Sequence, residues 1–205
     1  TPDANTVAVA EYTMALMLAV ARHVPEHHRN VLQGRWEPIQ GIELCGRRLG
    51  LVGLGRIGQE VARRATAFGM IVGYHDIVRR SPEVEQSLQV QYMELDELLK
   101  WADVVTLHAP HVPGSPPLLG KRELALLRPG ALLVNTARGE LVDENALAQA
   151  LRSGHLAGAA LDVFSHEPLP PSHPLLTAPN VVLSPHAAAQ TKQALHRMAE
   201  AAVDS

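Results

Sequence analysis

The sequence predicts a doubly wound α/β domain with a parallel sheet, and three observations carry that prediction. Short apolar runs alternate with helix-period segments along most of the 205 residues, the pattern of strands joined by crossover helices. The first run, Leu49 to Leu54, leads into Gly53, Gly55 and Gly58 in G-x-G-x-x-G spacing, and an amphipathic segment continues to Met70. The second run, Ile71 to His75, ends at a carboxylate, Asp76. Strand, glycine turn, helix, strand and acid in that order supply the phosphate and ribose ends of a dinucleotide site.

Taken in order, a long helix is expected from Thr6, with Met14 to Ala21 apolar on every face. A helix of that kind is buried in a core or in a partner. Pro25 should kink or end it, because proline removes a backbone donor. The continuation to Trp36 is polar with isolated apolar anchors and reads as an arm, Trp36 being the candidate interface anchor. The pair His27-His28 reads as a solvated face, since no carboxylate or cysteine neighbours it at ligand spacing. Beyond Asp76, strands are expected near 89–93, 103–108, 131–135, 157–163 and 181–184. Helices are expected at 95–101, 122–127, 144–152 and 191–203. The loop from His111 to Leu119 carries Pro113, Gly114, Pro116 and Pro117, so it should be irregular.

Each glycine of the motif has its own task. Gly53 permits the tight turn, Gly55 lets a pyrophosphate approach the backbone, and Gly58 lets helix pack on strand. The N–H groups near Arg56 and Ile57, with the helix dipole behind them, face the anion. Asp76 lies close to the separation of about 20 residues expected of a ribose ligand. Its charge would repel a 2′-phosphate, which favours NAD over NADP, although Arg79 and Arg80 are near.

Composition narrows the rest. Hydrophobic residues make up 46% and charged residues 19%, which excludes a disordered chain. A net charge of -3 without a basic stripe argues against nucleic acid as a ligand. The single cysteine, Cys45, excludes an internal disulfide and fits a reducing, cytoplasmic setting. Thr13 to Ala21 is short of the ~20 residues needed to span a bilayer, and no basic region precedes it as in a signal peptide. Both ends look cut. Thr1-Pro2 opens without an element of its own and the last helical pattern still runs at Val203, so the chain reads as a domain of a longer enzyme.

Three ionisable residues fall just after strand-like runs, where such sheets bind ligands: Arg138, Glu167 and His186. A histidine can give or take a proton near neutral pH, a glutamate beside it orients the ring and favours imidazolium, and an arginine holds a carboxylate by two parallel bonds. No metal is required, and no metal-ligand spacing is present.

These motifs together resemble the cofactor domain of the D-isomer-specific 2-hydroxyacid dehydrogenases. The match runs through 5–11, Leu51 to Gly58, Val134 to Gly139, Leu161 to Phe164 with Glu167-Pro168, and Ser184 to His186, nearly the whole chain. The resemblance implies a Rossmann-type NAD-binding domain over 1–205, with 1–36 as helix and arm forming a homodimer contact. It also implies that the family's substrate domain is absent. That domain is built from an N-terminal segment of about a hundred residues, a usual small-domain size, together with the family's C-terminal end.

By the same resemblance Arg138, Glu167 and His186 are the catalytic residues, and the reaction is NAD-dependent hydride transfer between a D-2-hydroxy acid and its 2-oxo acid. Asp162 holds the nicotinamide carboxamide, Asp76 the adenosine ribose. Ala109, Pro110, Ser115, Thr136, Ala137, Arg138, His186 and Ala188 are further cofactor-lining positions. Two stretches depart from the family. Ala187-Ala188-Ala189 stand where a bulkier residue and a glycine usually follow the histidine, and the 111–117 loop is unusual. Glyoxylate or hydroxypyruvate, phosphoglycerate and lactate all fit as substrates. The isolated domain should bind NADH but turn over poorly. The alternatives are an NADH-sensing corepressor of the C-terminal-binding-protein type, or a dinucleotide-binding module without turnover.

Overall fold

The structure, a computed structural model, describes residues 4–203, and the side chains of 4–200. Thr1-Pro2 lies outside the described residues. Among them, seven strands form one sheet: β1 (Arg48–Val52), β2 (Ile71–His75), β3 (Val90–Tyr92), β4 (Val104–Leu107), β5 (Ala131–Asn135), β6 (Leu156–Leu161) and β7 (Val181–Leu183). Every pairing is parallel and the order is β3-β2-β1-β4-β5-β6-β7. The order reverses between β1 and β4, the crevice at which a doubly wound sheet binds its ligand.

Helices cover both faces: α1 (Thr6–Ala21), α2 (Val24–Leu32), α3 (Arg56–Ala67), α4 (Pro82–Leu88), α5 (Leu95–Trp101), α6 (Lys121–Leu126), α7 (Glu144–Arg152) and α8 (Lys192–Val203). Because side chains alternate along a strand, neighbours in one strand join different cores. Leu49, Leu51, Val104, Leu132 and Val134 pack with α1 and α3. Val52, Val105, Leu107, Leu133 and Leu161 pack with α5, α6 and α7.

Three differences from the sequence reading have physical causes. Helix α1 ends at Ala21, before Pro25, and His23 turns the chain in the left-handed region at φ 53°. Pro25 then sits in the first turn of α2, where its missing donor costs nothing. The sequence pattern does not announce α4; Ser81 in extended conformation and Pro82 at its first position start it. The apolar surround of α1 is covered by α3, β5, β6 and β7 of its own domain, and Met14, Leu16, Met17 and Val20 are buried. No partner is needed to bury this helix. Within residues 4–36 the exposed large apolar side chains are Val7 on α1 and Val24, Val31, Leu32 and Trp36 in α2 and the arm. Among the described residues no single helix is long and apolar enough to cross a membrane.

Candidate active site

Register builds the site. Val52 pairs with His75 and Leu107, Leu107 with Asn135, Asn135 with Leu161, and Leu161 with Leu183. The strands therefore end level, and the next residues, Asp76, Gly53, His108, Thr136, Asp162 and Ser184, form a row along the carboxyl edge.

At the β1 end, Gly53 has φ 98°, and a Cβ there would lie 2.7 Å from the His108 carbonyl. A Cβ on Gly58 would lie 2.3 Å from the Gly53 carbonyl oxygen, so this glycine packs helix on loop. Nothing lies within 4 Å of a Cβ on Gly55, at the N-cap of α3. With no side chain on Gly55 to cap the helix, the first turn of α3 borders an open anion cradle.

Asp76 also braces that loop. Its Oδ2 accepts the Leu54 N–H at 2.8 Å and Arg80 Nη2 at 3.0 Å, while Arg80 Nε donates to the Leu54 carbonyl. Oδ1 takes only a long contact from the Val78 N–H, 3.4 Å. Arg79 is held by both oxygens of Glu85 and lies over the Tyr92 ring. Both arginines near the acid are thus engaged.

Two cavities meet at His108, Ala109 and Pro110. One, about 630 Å³, is lined by Gly53, Gly55, Asp76 and Ser115. Ser115 donates its hydroxyl to the Val112 carbonyl at 2.7 Å. The other, about 290 Å³, is lined by Ile57, Thr136, Ala137, Arg138, Asp162, His186 and Ala188. Thr13 of α1 donates to the Val9 carbonyl, so in its 2.8 Å contact Thr136 is the donor, which leaves the Thr136 lone pairs to the cavity.

Asp162, fully buried, latches the histidine turn. It accepts the Ser184 hydroxyl and the N–H groups of Ala187 and Ala188, both at 2.8 Å. The turn needs a latch, because His186 has φ 53°, an unfavourable region for a residue with a Cβ. One acceptor position remains on Asp162 Oδ2, enough for an amide donor.

His186 Nδ1 stands 2.9 Å from Glu167 Oε2. A carboxylate only accepts, so Nδ1 carries the proton and Nε2 is left over. Glu167 Oε1 takes the Phe164 N–H at 3.0 Å. Burial pushes the Glu167 carboxyl up, but the bonds from His186 and Phe164 and the charges of His186 and Arg138 outweigh it, leaving the carboxyl below its usual range. His186 lines both the second cavity and a third of about 450 Å³, walled by Glu167, Phe164, Leu169 and Leu183. Arg138, exposed, spends one N–H on the Ala137 carbonyl. It follows an Asx turn in which Asn135 Oδ1 accepts the Ala137 N–H.

The family whose model matches residues 14–188 is described as "D-isomer specific 2-hydroxyacid dehydrogenase, NAD binding domain". The chain belongs to this family. As a 2-hydroxyacid dehydrogenase NAD-binding domain it is 47% identical to D-3-phosphoglycerate dehydrogenase of Methanocaldococcus jannaschii, over 94% of this chain and 37% of that protein. It is 45% identical to glyoxylate reductase of Korarchaeum cryptofilum, over 98% of this chain and 62% of that protein. Among solved structures it resembles D-lactate dehydrogenase of Aquifex aeolicus complexed with NAD and lactic acid, with a TM-score of 0.90, 32% identity, and coverage of 100% of this chain and 66% of that one. The chain thus spans about a third to two thirds of these relatives.

The sequence reading missed His108. It sits at the middle of the row, contacts Thr106 Oγ1 through Nε2 at 3.1 Å, and has its pKa lowered to about 3 by burial. Only its place after an apolar run could have flagged it. Among the described residues no group of three or more His, Cys, Asp or Glu is placed to hold a metal.

Proposed function

We propose that this domain serves an NAD-dependent oxidoreductase that interconverts a D-2-hydroxy acid and its 2-oxo acid, with Arg138, Glu167 and His186 as its catalytic residues. The observation that carries this reading is the His186–Glu167 contact, 2.9 Å long, at the border of the cavity continuing the dinucleotide cleft and an open apolar one.

The cleft fits NAD: an open cradle at Gly55, a free carboxylate oxygen on Asp76, and acceptors on Thr136 and Asp162. NAD(H), when bound, supplies or takes the hydride. Arg138 then holds the substrate carboxylate with the N–H groups it does not spend on Ala137. In reduction His186 Nε2 gives its proton to the substrate oxygen, and in oxidation it takes it back, while Glu167 keeps the Nδ1–H in place. The relatives named for glyoxylate and phosphoglycerate favour small 2-oxo and 2-hydroxy acids as the substrate class, and none of the three is named as a corepressor.

NAD is preferred to NADP, because Asp76 lines the cavity where the adenosine ribose would lie and both nearby arginines are already bonded. Calorimetric titration should give tighter binding of NADH than NADPH, and Asp76→Ala should shrink that difference; equal affinities for the unaltered protein would end this part of the reading. Oxidation of NADH driven by glyoxylate, hydroxypyruvate or pyruvate tests the activity.

The protein works as a homodimer through α2 and the arm, where Val24, Val31 and Leu32 are exposed and Trp36 is 85% exposed. An apolar strip of that kind marks an interface. Sedimentation should show a dimer at micromolar concentration and a monomer for Leu32→Asp with Trp36→Ala. A monomeric unaltered protein would contradict it.

A further inference from the structure

Glu144 opens α7 but does not serve it. The helix is capped by Asp143, whose Oδ1 accepts the Ala146 N–H at 3.0 Å. Glu144 turns away to the loop that carries Glu167. Its Oε1 accepts the Ser165 N–H at 2.8 Å and its Oε2 the Ser165 hydroxyl at 2.9 Å. His173 Nε2 completes the set at 3.0 Å, its Nδ1 facing the Leu175 N–H. A carboxylate only 8% exposed is a poor choice for stability alone, since a packed apolar side chain avoids the desolvation.

The next N–H along the loop, that of Phe164, belongs to Glu167. Two consecutive backbone donors are therefore taken by two carboxylates. The peptide between them is also gripped from below: a Cβ on Gly139 would fall 1.9 Å from the Phe164 carbonyl carbon. The loop can neither rotate nor lift without breaking one of these contacts.

We propose that Glu144 and Ser165 are positioning residues: by fixing the 164–165 backbone they hold the Glu167 carboxylate where it meets His186 Nδ1. This rests on the reading of Glu167 and His186 as the proton-handling pair. Gln at position 144 has a single acceptor oxygen, so Glu144→Gln loses either the Ser165 N–H or its partners at Oε2. Ser165→Ala loses the hydroxyl bond to Glu144 together with a long contact to His166 Nδ1, 3.4 Å, and Ser165→Thr keeps the hydroxyl.

Two readouts separate this proposal from the activity it serves. The first is the His186 ring tautomer, read by side-chain ¹⁵N NMR on the protein at mildly alkaline pH. The Nδ1–H form should dominate in the unaltered protein and in Ser165→Thr, and give way toward Nε2–H in Glu144→Gln and Ser165→Ala. The second, on a form that turns over, is NADH-dependent reduction of glyoxylate as the probe. Glu144→Gln should lower kcat on the order of tenfold to a hundredfold, the scale of a small misplacement, with KM for NADH unchanged. Ser165→Thr should restore what Ser165→Ala loses. If Glu144→Gln does not fold, the two Ser165 variants decide. An unchanged tautomer in Ser165→Ala, or a Thr variant no better than Ala, overturns the proposal. A form that carries the substrate domain and still reduces no 2-oxo acid overturns the functional reading instead, and the tautomer still decides the positioning.

Discussion

His186–Glu167 and His173–Glu144 are contacts of one kind, 2.9 and 3.0 Å long, on the same stretch of chain, and they differ in burial. The first pair has side chains 54% and 37% exposed, the second 13% and 8%. They differ also in what is left over. His173 has both ring nitrogens engaged, by Glu144 and by the Leu175 N–H, so no nitrogen can reach a ligand. His186 has one nitrogen on Glu167 and one to spare, beside two cavities. The same two residue types thus make a fastening when closed on both sides and, in the proposed function, a proton-transfer pair when open on one.

The largest effect should separate the pairs by turnover. In a form that turns over, His186→Ala should lower kcat by ~10²–10⁴, the range for losing a general acid, with NADH affinity kept. His173→Ala leaves the proton donor in place and should reduce kcat far less. Comparable losses from the two variants would erase the distinction.

Stability should reverse the ranking. Glu144→Ala takes the acceptor from the enclosed His173, and breaking a buried pair in this way costs about 3–5 kcal/mol. Glu167→Ala opens a pair that water already reaches, so its cost should stay near 1 kcal/mol, the scale of exposed pairs. Urea unfolding of both variants at neutral pH measures the difference.

The two pairs were unequally legible in the sequence. Glu167 and His186 each follow a strand-like run, and level strand ends bring such positions to one edge, so order along the chain was enough. Asp76 was readable for the same reason, whereas Thr136 and Asp162 were assigned by the resemblance alone. Glu144 and His173 lie 29 residues apart and meet only because α7 and the 162–173 loop pack together, which no local pattern encodes. The cover of α1 was left open for a related reason: a helix apolar all round announces burial but not which elements provide it. The second task of Asp162, latching a strained turn, appears only when the donors of 184–188 are placed in space.

A third histidine sharpens the comparison, because it is half-buried with a hydroxyl, Thr106, and no carboxylate as its ring partner. Part of His108 borders the cleft, yet burial lowers its pKa from 6.5 to about 3. The sign follows from proton binding. Between those values the unfolded chain takes up a proton that the native protein refuses, so the stability contribution is complete above about pH 6.5 and falls as pH drops. The slope approaches 1.4 kcal/mol per pH unit, or up to about 2 kcal/mol between pH 7 and pH 5. His108→Gln has no such proton to refuse and should lose less stability over that interval, by as much as the same 2 kcal/mol, when urea unfolding is compared at the two pH values. Equal losses in both proteins would mean that water in the cleft solvates the His108 ring enough to let it protonate, as at an open histidine.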